Sequence, residues 1–215
     1  MSEELFKRMA RAIIEGDGEA ADAVARESLG LGVDPLESIN KGFTAGMDVV
    51  GELYSTGEYF LPDLILGGEA MKAALSVLEP ALQASGQQRK VLGVVVLGTV
   101  KGDIHEIGKA LVGSMLAAHG FKVYDLGIDV EASTFVTKAR EFGADIVALS
   151  ALLTTTMLRQ REVIEHLAEA GLRERVKVMV GGCPVTQGWA DQIGADGFAE
   201  DATGAVAVAK RLVAA

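Results

Sequence analysis

A histidine with an acidic residue two positions before it is the feature of this sequence most able to do chemistry. Asp103, His105 and Gly108 follow the apolar run 91–97 and open a helical pattern. An imidazole held by a carboxylate can be a metal ligand with a fixed tautomer. The sequence has only three histidines, so a metal here would need to arrive with most of its ligands attached. The alternatives are a structural role for His105 and a helix-capping role for Asp103, with the helix beginning near Ile104.

Two other segments at the ends of predicted strands carry unusual residues. Segment 150–156 contains four hydroxyl side chains, which is more than the cap of one helix requires. Gly181 and Gly182 follow another apolar run. Adjacent glycines there form an ordinary turn or let a bulky group approach the backbone closely.

Composition excludes several classes of partner. The net charge is -10, from 30 acidic and 20 basic residues, which argues against nucleic acid and against an anionic membrane surface. One cysteine excludes an internal disulfide and fits a reducing compartment. The first residues predict an amphipathic helix rather than a signal peptide, and no apolar run reaches the length of a membrane span. We therefore expect a cytoplasmic protein without nucleic-acid or membrane partners.

The first part of the chain, residues 1–86, is predicted to be a four-helix bundle, because its four helical segments have short connections. The third helix starts at an Asp34 cap and is expected to run to about Leu53, with Gly42 and Gly46 as weak or closely packed points. The polar segment 85–89 marks the domain boundary. The fourth helix begins at the Phe60-Leu61-Pro62 segment and ends near residue 84.

The second part, residues 87–215, predicts an α/β domain. Apolar strand-like runs alternate with helical segments, which is typical of a parallel sheet covered on both faces. Strands are predicted at 91–97, 121–126, 145–150, 176–180 and 196–199, and helices at 104–118, 132–142, 155–170, 185–192 and 203–213. Five strands fit the flavodoxin-like (Rossmann-like) order 2-1-3-4-5, in which ligands bind at the carboxyl edge where the strand order reverses. The three unusual segments should therefore converge on one crevice.

Together the three segments resemble a known signature. Asp103-His105-Gly108, Ser150-Leu152 and Gly181-Gly182 match D-x-H-x-x-G, S-x-L and G-G of the cobalamin-binding domain shared by methionine synthase, some cobalamin-dependent mutases and methyltransferase corrinoid proteins. Segments 58–64 and 69–71 resemble the helical cap of the methyl-transferring branch. Segments 185–187 and 195–202 are similar to the corrinoid proteins of methylamine, methanol and aryl methyl ether methyltransferases.

The resemblance implies a cobalamin or related corrinoid bound base-off, with His105 as the lower ligand of cobalt. Asp103 would fix the histidine tautomer, and Thr156 would support Asp103. The implied cofactor contacts come from the same loops and from the cap: Asp103, His105, Glu106, Ile107, Gly108, Ser150, Leu152, Thr154, Gly181, Gly182, Phe60 and Leu64. The slot for the nucleotide tail would be lined by Ser150, Leu152, Gly181 and Gly182, with Thr154 as a hydrogen-bond donor there. Phe60 and Leu64 of the cap would cover the methyl face.

The implied function is a methyl carrier that shuttles a methyl group between a substrate-specific methyltransferase and an acceptor methyltransferase, with a reductive activase. His105 would leave cobalt and return in each cycle, with the Asp103–His105 pair taking up a proton when that bond breaks. The alternative is a cobalamin-dependent sensor, although the acidity of the chain disfavours DNA. A phosphorylated receiver would need an aspartate where Ser150 stands.

Overall fold

The computed structural model describes residues 2–85 and 91–214. The chain divides into two compact units, Met1–Lys90 and Val91–Ala215. The boundary expected between residues 86 and 87 lies outside the described residues. Within the described part of the chain, no helix combines the length and the apolar character that crossing a membrane requires.

The first unit is helical, as expected. Its elements are α1 Ser2–Ile14, α2 Gly18–Gly30, α3 Pro35–Glu37, a π-helical segment Ser38–Phe43, α4 Thr44–Ser55 and α5 Leu61–Ala84. Asp17 caps α2 by accepting from the amide of Ala20, and Asp34 caps α3 by accepting from the amides of Leu36 and Glu37. Large apolar side chains fill the interior, among them Met9, Ile13, Phe43, Met47, Met71 and Leu78.

The third helix differs from the regular helix that the sequence predicts. The amide of Thr44 donates to the carbonyl of Ile39, five residues back, so this turn is a π-helix. A Cβ atom on Gly42 would lie 2.5 Å from Sδ of Met9, and one on Gly46 would lie 2.5 Å from the carbonyl oxygen of Ala10. The two glycines are therefore close-packing positions against α1, and the wider turn occurs where the two backbones approach.

The second unit is a five-stranded sheet with all neighbouring strands parallel. Its strands are β1 Val94–Thr99, β2 Lys122–Asp125, β3 Ile146–Ser150, β4 Lys177–Gly181 and β5 Gly197–Ala199, and its helices are α6 Ile107–Ala118, α7 Ala132–Phe142, α8 Thr154–Glu169, α9 Gln187–Ile193 and α10 Ala202–Ala214. The order β2-β1-β3-β4-β5 confirms the predicted topology. The buried strands are rich in valine, isoleucine and leucine, as expected when both faces are covered.

The register of the strands explains how distant segments meet. Thr99 of β1 pairs with Ser150 of β3, and Ser150 pairs with Gly181 of β4. Because these three residues end their strands, the loops that follow them leave the sheet side by side.

The loop after β1 is longer than the sequence predicts. Helix α6 begins at Ile107 rather than near Ile104, and its N-cap is Glu106, which makes no side-chain cap bond. The carboxylate of Asp103 instead accepts from the amide of His105, a local bond that competes with helix formation. The capping role for Asp103 is therefore wrong, and His105 lies in a loop.

Candidate functional site

The carboxylate of Asp103 is the centre of the hydrogen bonds at the carboxyl edge of the sheet. Oδ1 lies 2.7 Å from Nδ1 of His105 and accepts from the His105 amide at 3.1 Å. Oδ2 accepts from the hydroxyl of Thr156 at 2.5 Å and from the amide of Leu152 at 2.8 Å. The loops after β1 and β3 thus meet on one side chain, which is fully buried.

These bonds determine the charge of Asp103. Burial on its own would raise the pKa of the carboxyl group, but hydrogen bonds from Thr156, His105 and Leu152 outweigh it and hold the pKa well below its usual range. Asp103 is therefore an anion at neutral pH and can only accept. Nδ1 of His105 must carry the proton, so a neutral imidazole presents its lone pair at Nε2.

The other edge of His105 faces outward. Its side chain is 45% exposed, and within residues 2–85 and 91–214 no group hydrogen bonds to Nε2. Exposed apolar side chains stand on the same loops: Ile104 at 70%, Ile107 at 66% and Leu152 at 42% exposure. A Cβ atom on Gly108 would meet no protein atom within 4 Å, so this glycine is not needed for packing of α6 on the sheet.

The histidine loop is held by residues that sequence reasoning missed. The hydroxyl of Thr99, at the end of β1, donates to the carbonyl of His105 at 2.9 Å. Asp129, in the loop after β2, donates its amide to the carbonyl of Asp103 at 2.9 Å and accepts from the amide of Gly102 at 2.8 Å. Asp129 has a φ of 55°, a left-handed conformation that aspartate tolerates better than most residues. In the sequence, this role is signalled by nothing more than the residue type, an aspartate.

In the hydroxyl-rich segment 150–156, a single residue, Thr156, serves both a helix cap and the candidate site. Helix α8 begins at Thr154, and the amide of Leu153 donates to the hydroxyl of Thr156 at 3.3 Å. Thr156 thus helps to cap α8 and also donates to Asp103. Ser150 is half-buried at the end of β3, whereas Leu152 and Thr154 are exposed.

The need for glycine at both positions of the Gly181-Gly182 doublet is explained by close contacts with the backbone of neighbouring loops. Gly181 ends β4, and Gly182 has a φ of 124°. A Cβ atom on Gly182 would lie 1.8 Å from the carbonyl oxygen of Ala151, and one on Gly181 would lie 3.1 Å from that of Ala199. The close approach that these glycines permit is therefore already made by neighbouring loops.

The candidate residues of the helical unit differ in exposure. Phe60 is 67% exposed and precedes α5, where its amide donates to Asp63 at 2.8 Å. Leu64 is fully buried.

The remaining candidate, Glu106 of the second unit, is exposed beside Ile107 at the start of α6. Among the described residues, no cluster of three or more His, Cys, Asp or Glu side chains is placed to hold a metal ion.

Comparison with known families identifies the family to which this chain belongs. A family model described as "B12 binding domain" matches residues 93–208, and a second model with the same description matches residues 5–79. The chain belongs to the B12-binding corrinoid proteins. A corrinoid is therefore the cofactor to which the geometry must be compared.

Relatives of this corrinoid protein match it over nearly its whole length. The trimethylamine corrinoid protein of Methanosarcina barkeri is 51% identical over 208 residues, which are 97% of this chain and 96% of that protein. Dimethylamine corrinoid protein 2 of Methanosarcina acetivorans is 49% identical, with coverage of 98% and 97%. The solved methanol:cobalamin methyltransferase complex of Methanosarcina barkeri matches with a TM-score of 0.86 and 32% identity, covering 98% of this chain and 80% of that one.

The residues present fit a corrinoid. A corrinoid that brings four nitrogen ligands of its own would need no more than one imidazole nitrogen from the protein. Nε2 of His105 would be available for that, with its ring orientation set by Asp103. Apolar side chains around it suit the face of a large planar ring, and the open space at Gly108 leaves room for it.

Proposed function

We propose that this protein is a methyl carrier, which receives a methyl group from a substrate-specific methyltransferase and delivers it to an acceptor methyltransferase. A bound corrinoid supplies a cobalt centre that can accept and give up a methyl group. The observation that carries the proposal is the Thr156–Asp103–His105 array, which leaves one imidazole nitrogen free on an exposed apolar surface.

In this proposal His105 would hold the cobalt of the corrinoid from below, in place of the base of the cofactor. Asp103 keeps the proton on Nδ1 and aims Nε2 outward, and Thr156 holds Asp103 in place. The ionised, hydrogen-bonded carboxylate would thus keep the imidazole in one orientation.

We further propose that the remaining cofactor contacts follow the family pattern. Ser150, Leu152, Thr154 and the Gly181-Gly182 doublet would line the slot for the nucleotide tail. Thr154 and Leu152 have the exposure that a ligand contact needs. The two residues that the family pattern gives to the helical unit differ: Phe60 has the exposure that a ligand contact needs, and Leu64 is fully buried.

The methyl donor that we propose is a methylamine. The support is the similarity to relatives named as trimethylamine and dimethylamine corrinoid proteins, at 51% and 49% identity. The partners are then a methylamine methyltransferase on the donor side, an acceptor methyltransferase, and a reductive activase that restores the reduced cobalt.

The test is reconstitution. The corrinoid-loaded, reduced protein is mixed in turn with trimethylamine-, dimethylamine- and methanol-specific methyltransferases and their substrates, and release of the demethylated product is measured. We expect transfer with a methylamine enzyme and little with the methanol enzyme. Transfer from methanol alone would contradict the donor assignment, and failure to bind any corrinoid would contradict the function itself.

A further inference from the structure

A buried glutamine on α8 has no part in the site as described so far. Gln160 is fully buried. Its Nε2 donates to the carbonyl oxygens of Leu149 and Gly181, each at 3.1 Å, and its Oε1 accepts from Nε1 of Trp189 at 3.0 Å. Two carbonyls on one side and an indole N–H on the other leave a single orientation for the amide.

The two carbonyls belong to neighbouring strands at the carboxyl edge. Leu149 precedes Ser150 at the end of β3, and Gly181 ends β4 in register with Ser150. The carbonyl of Gly181 also accepts from the amide of Ala151 at 3.2 Å. Gln160 thus joins the ends of β3 and β4 directly beneath residues of the proposed slot.

The same face of α8 also holds the histidine array. Thr156 and Gln160 are one helical turn apart and both are buried, so they lie on one face of the helix. Thr156 donates to Asp103, while Gln160 donates to the strand ends. One rigid element therefore fixes both the ligand loop and the edge that carries Ser150 and Gly181.

We infer that Gln160 is a positioning residue for the nucleotide tail of the corrinoid. The inference rests on the proposed function. Gln160 ties together the ends of β3 and β4, from which the loops proposed to hold the tail continue, without itself touching the cofactor. Its loss should therefore weaken binding of the tail more than binding of the macrocycle.

The experiment compares cobalamin with cobinamide, a corrinoid that lacks the nucleotide tail. Gln160→Met keeps the approximate size of the side chain and removes both strand bonds. We expect the dissociation constant for cobalamin to rise about tenfold, since two buried hydrogen bonds are lost. The constant for cobinamide should stay within about twofold of wild type, which also shows that the variant is folded.

Trp189→Phe is the matched control, because it removes the indole donor and leaves both bonds to the strands. Its cobalamin affinity should stay within about twofold of wild type. Should Gln160→Met fail to fold, Gln160→Asn keeps a buried amide that is too short to reach both carbonyls and should give the same selective loss.

Two outcomes would overturn the inference. One is a Gln160 variant that binds cobalamin as wild type does. The other is a variant whose affinities for cobalamin and cobinamide fall alike, because Gln160 would then support the fold in general. A wild-type protein that binds neither corrinoid would instead contradict the proposed function.

Discussion

At the scale of single residues, the proposed chemistry of this protein depends on one buried carboxylate. Asp103 is stable as an anion because four donors from two loops surround it. An uncompensated buried carboxylate would be costly. The same bonds that stabilise the charge also orient His105, so stability and ligand geometry have a common origin here.

Removing the hydroxyl that supports Asp103 should destabilise the protein. Thr156→Val keeps the shape of the side chain but leaves Oδ2 without its shortest bond and Leu153 without a cap partner, at a cost of about 1–3 kcal/mol. Thr156→Ser keeps the hydroxyl and should cost about 1 kcal/mol or less. Urea unfolding of the corrinoid-free protein measures both, and equal costs for the two variants would contradict the role of the hydroxyl.

Replacing His105 tests the proposed metal ligand directly. His105→Ala should still bind the corrinoid but lose the nitrogen hyperfine splitting in the electron paramagnetic resonance spectrum of the cobalt(II) form, because the lower ligand is gone. His166→Ala is the control, since this exposed histidine on α8 bonds only to the carbonyl of Glu162. A spectrum unchanged in His105→Ala would remove the ligand assignment.

At the scale of elements, the loops after β1, β2 and β3 form one connected unit. Asp129 links the second loop to the first through its amide and its carboxylate. Its left-handed backbone restricts which residues can stand there. The orientation of the histidine loop therefore depends on a loop that carries none of the signature residues.

Variants of Asp129 separate backbone conformation from side-chain bonding. Asp129→Asn keeps an acceptor for Gly102 and tolerates a positive φ, so the free energy of unfolding should change by about 0.5 kcal/mol or less. Asp129→Val loses both properties and should cost about 2–3 kcal/mol. Denaturant titration checks the difference, and similar costs for both variants would contradict it.

The shape of the carboxyl edge can be tested with two glycines that differ in their surroundings. Gly182→Ala places a Cβ against the carbonyl of Ala151 at a φ of 124°, and should cost at least about 3 kcal/mol. Gly108→Ala points into open space and should change stability by no more than about 1 kcal/mol.

The two glycine variants also separate an effect on folding from an effect on corrinoid binding. We expect Gly108→Ala to weaken corrinoid binding about tenfold, because the added methyl group occupies space proposed for the cofactor. Isothermal titration of the folded variant measures this. Unchanged affinity would show that the cofactor does not lie over Gly108.

At the scale of the whole molecule, the chain consists of two compact units. Apart from Phe60 and Leu64, the proposed cofactor contacts all belong to the second unit. A unit of this size buries enough surface to fold alone. The predicted boundary between residues 86 and 87 therefore defines a fragment that can be examined separately.

We expect fragment 87–215 to fold cooperatively and to bind a corrinoid. Circular dichroism during heating reports the folding transition, and co-elution of corrinoid absorbance with the fragment in gel filtration reports binding. A fragment that is unfolded in isolation would show that the second unit depends on the first.

Much of the fold follows from patterns along the chain. Alternating apolar strands and helices predicted the five parallel strands and their order, because a covered parallel sheet requires buried strands and crossover helices. The π-helical turn at Ser38–Phe43 and the late start of α6 were not predicted. The π-helical turn occurs where α1 packs closely, and the late start of α6 goes with a local bond from the His105 amide to Asp103 that competes with a regular helix. Neither leaves a periodic trace in the sequence.

The sequence by itself determined which residue types stand at the carboxyl edge and which family they resemble. Only the tertiary structure decided how those residues are held. Thr156 reaches Asp103 across 53 positions of sequence, and Gln160 binds backbone carbonyls. The physical reason is that a carbonyl acceptor is the same at every residue, and a hydrogen bond between distant segments exists only once the sheet has placed their ends together.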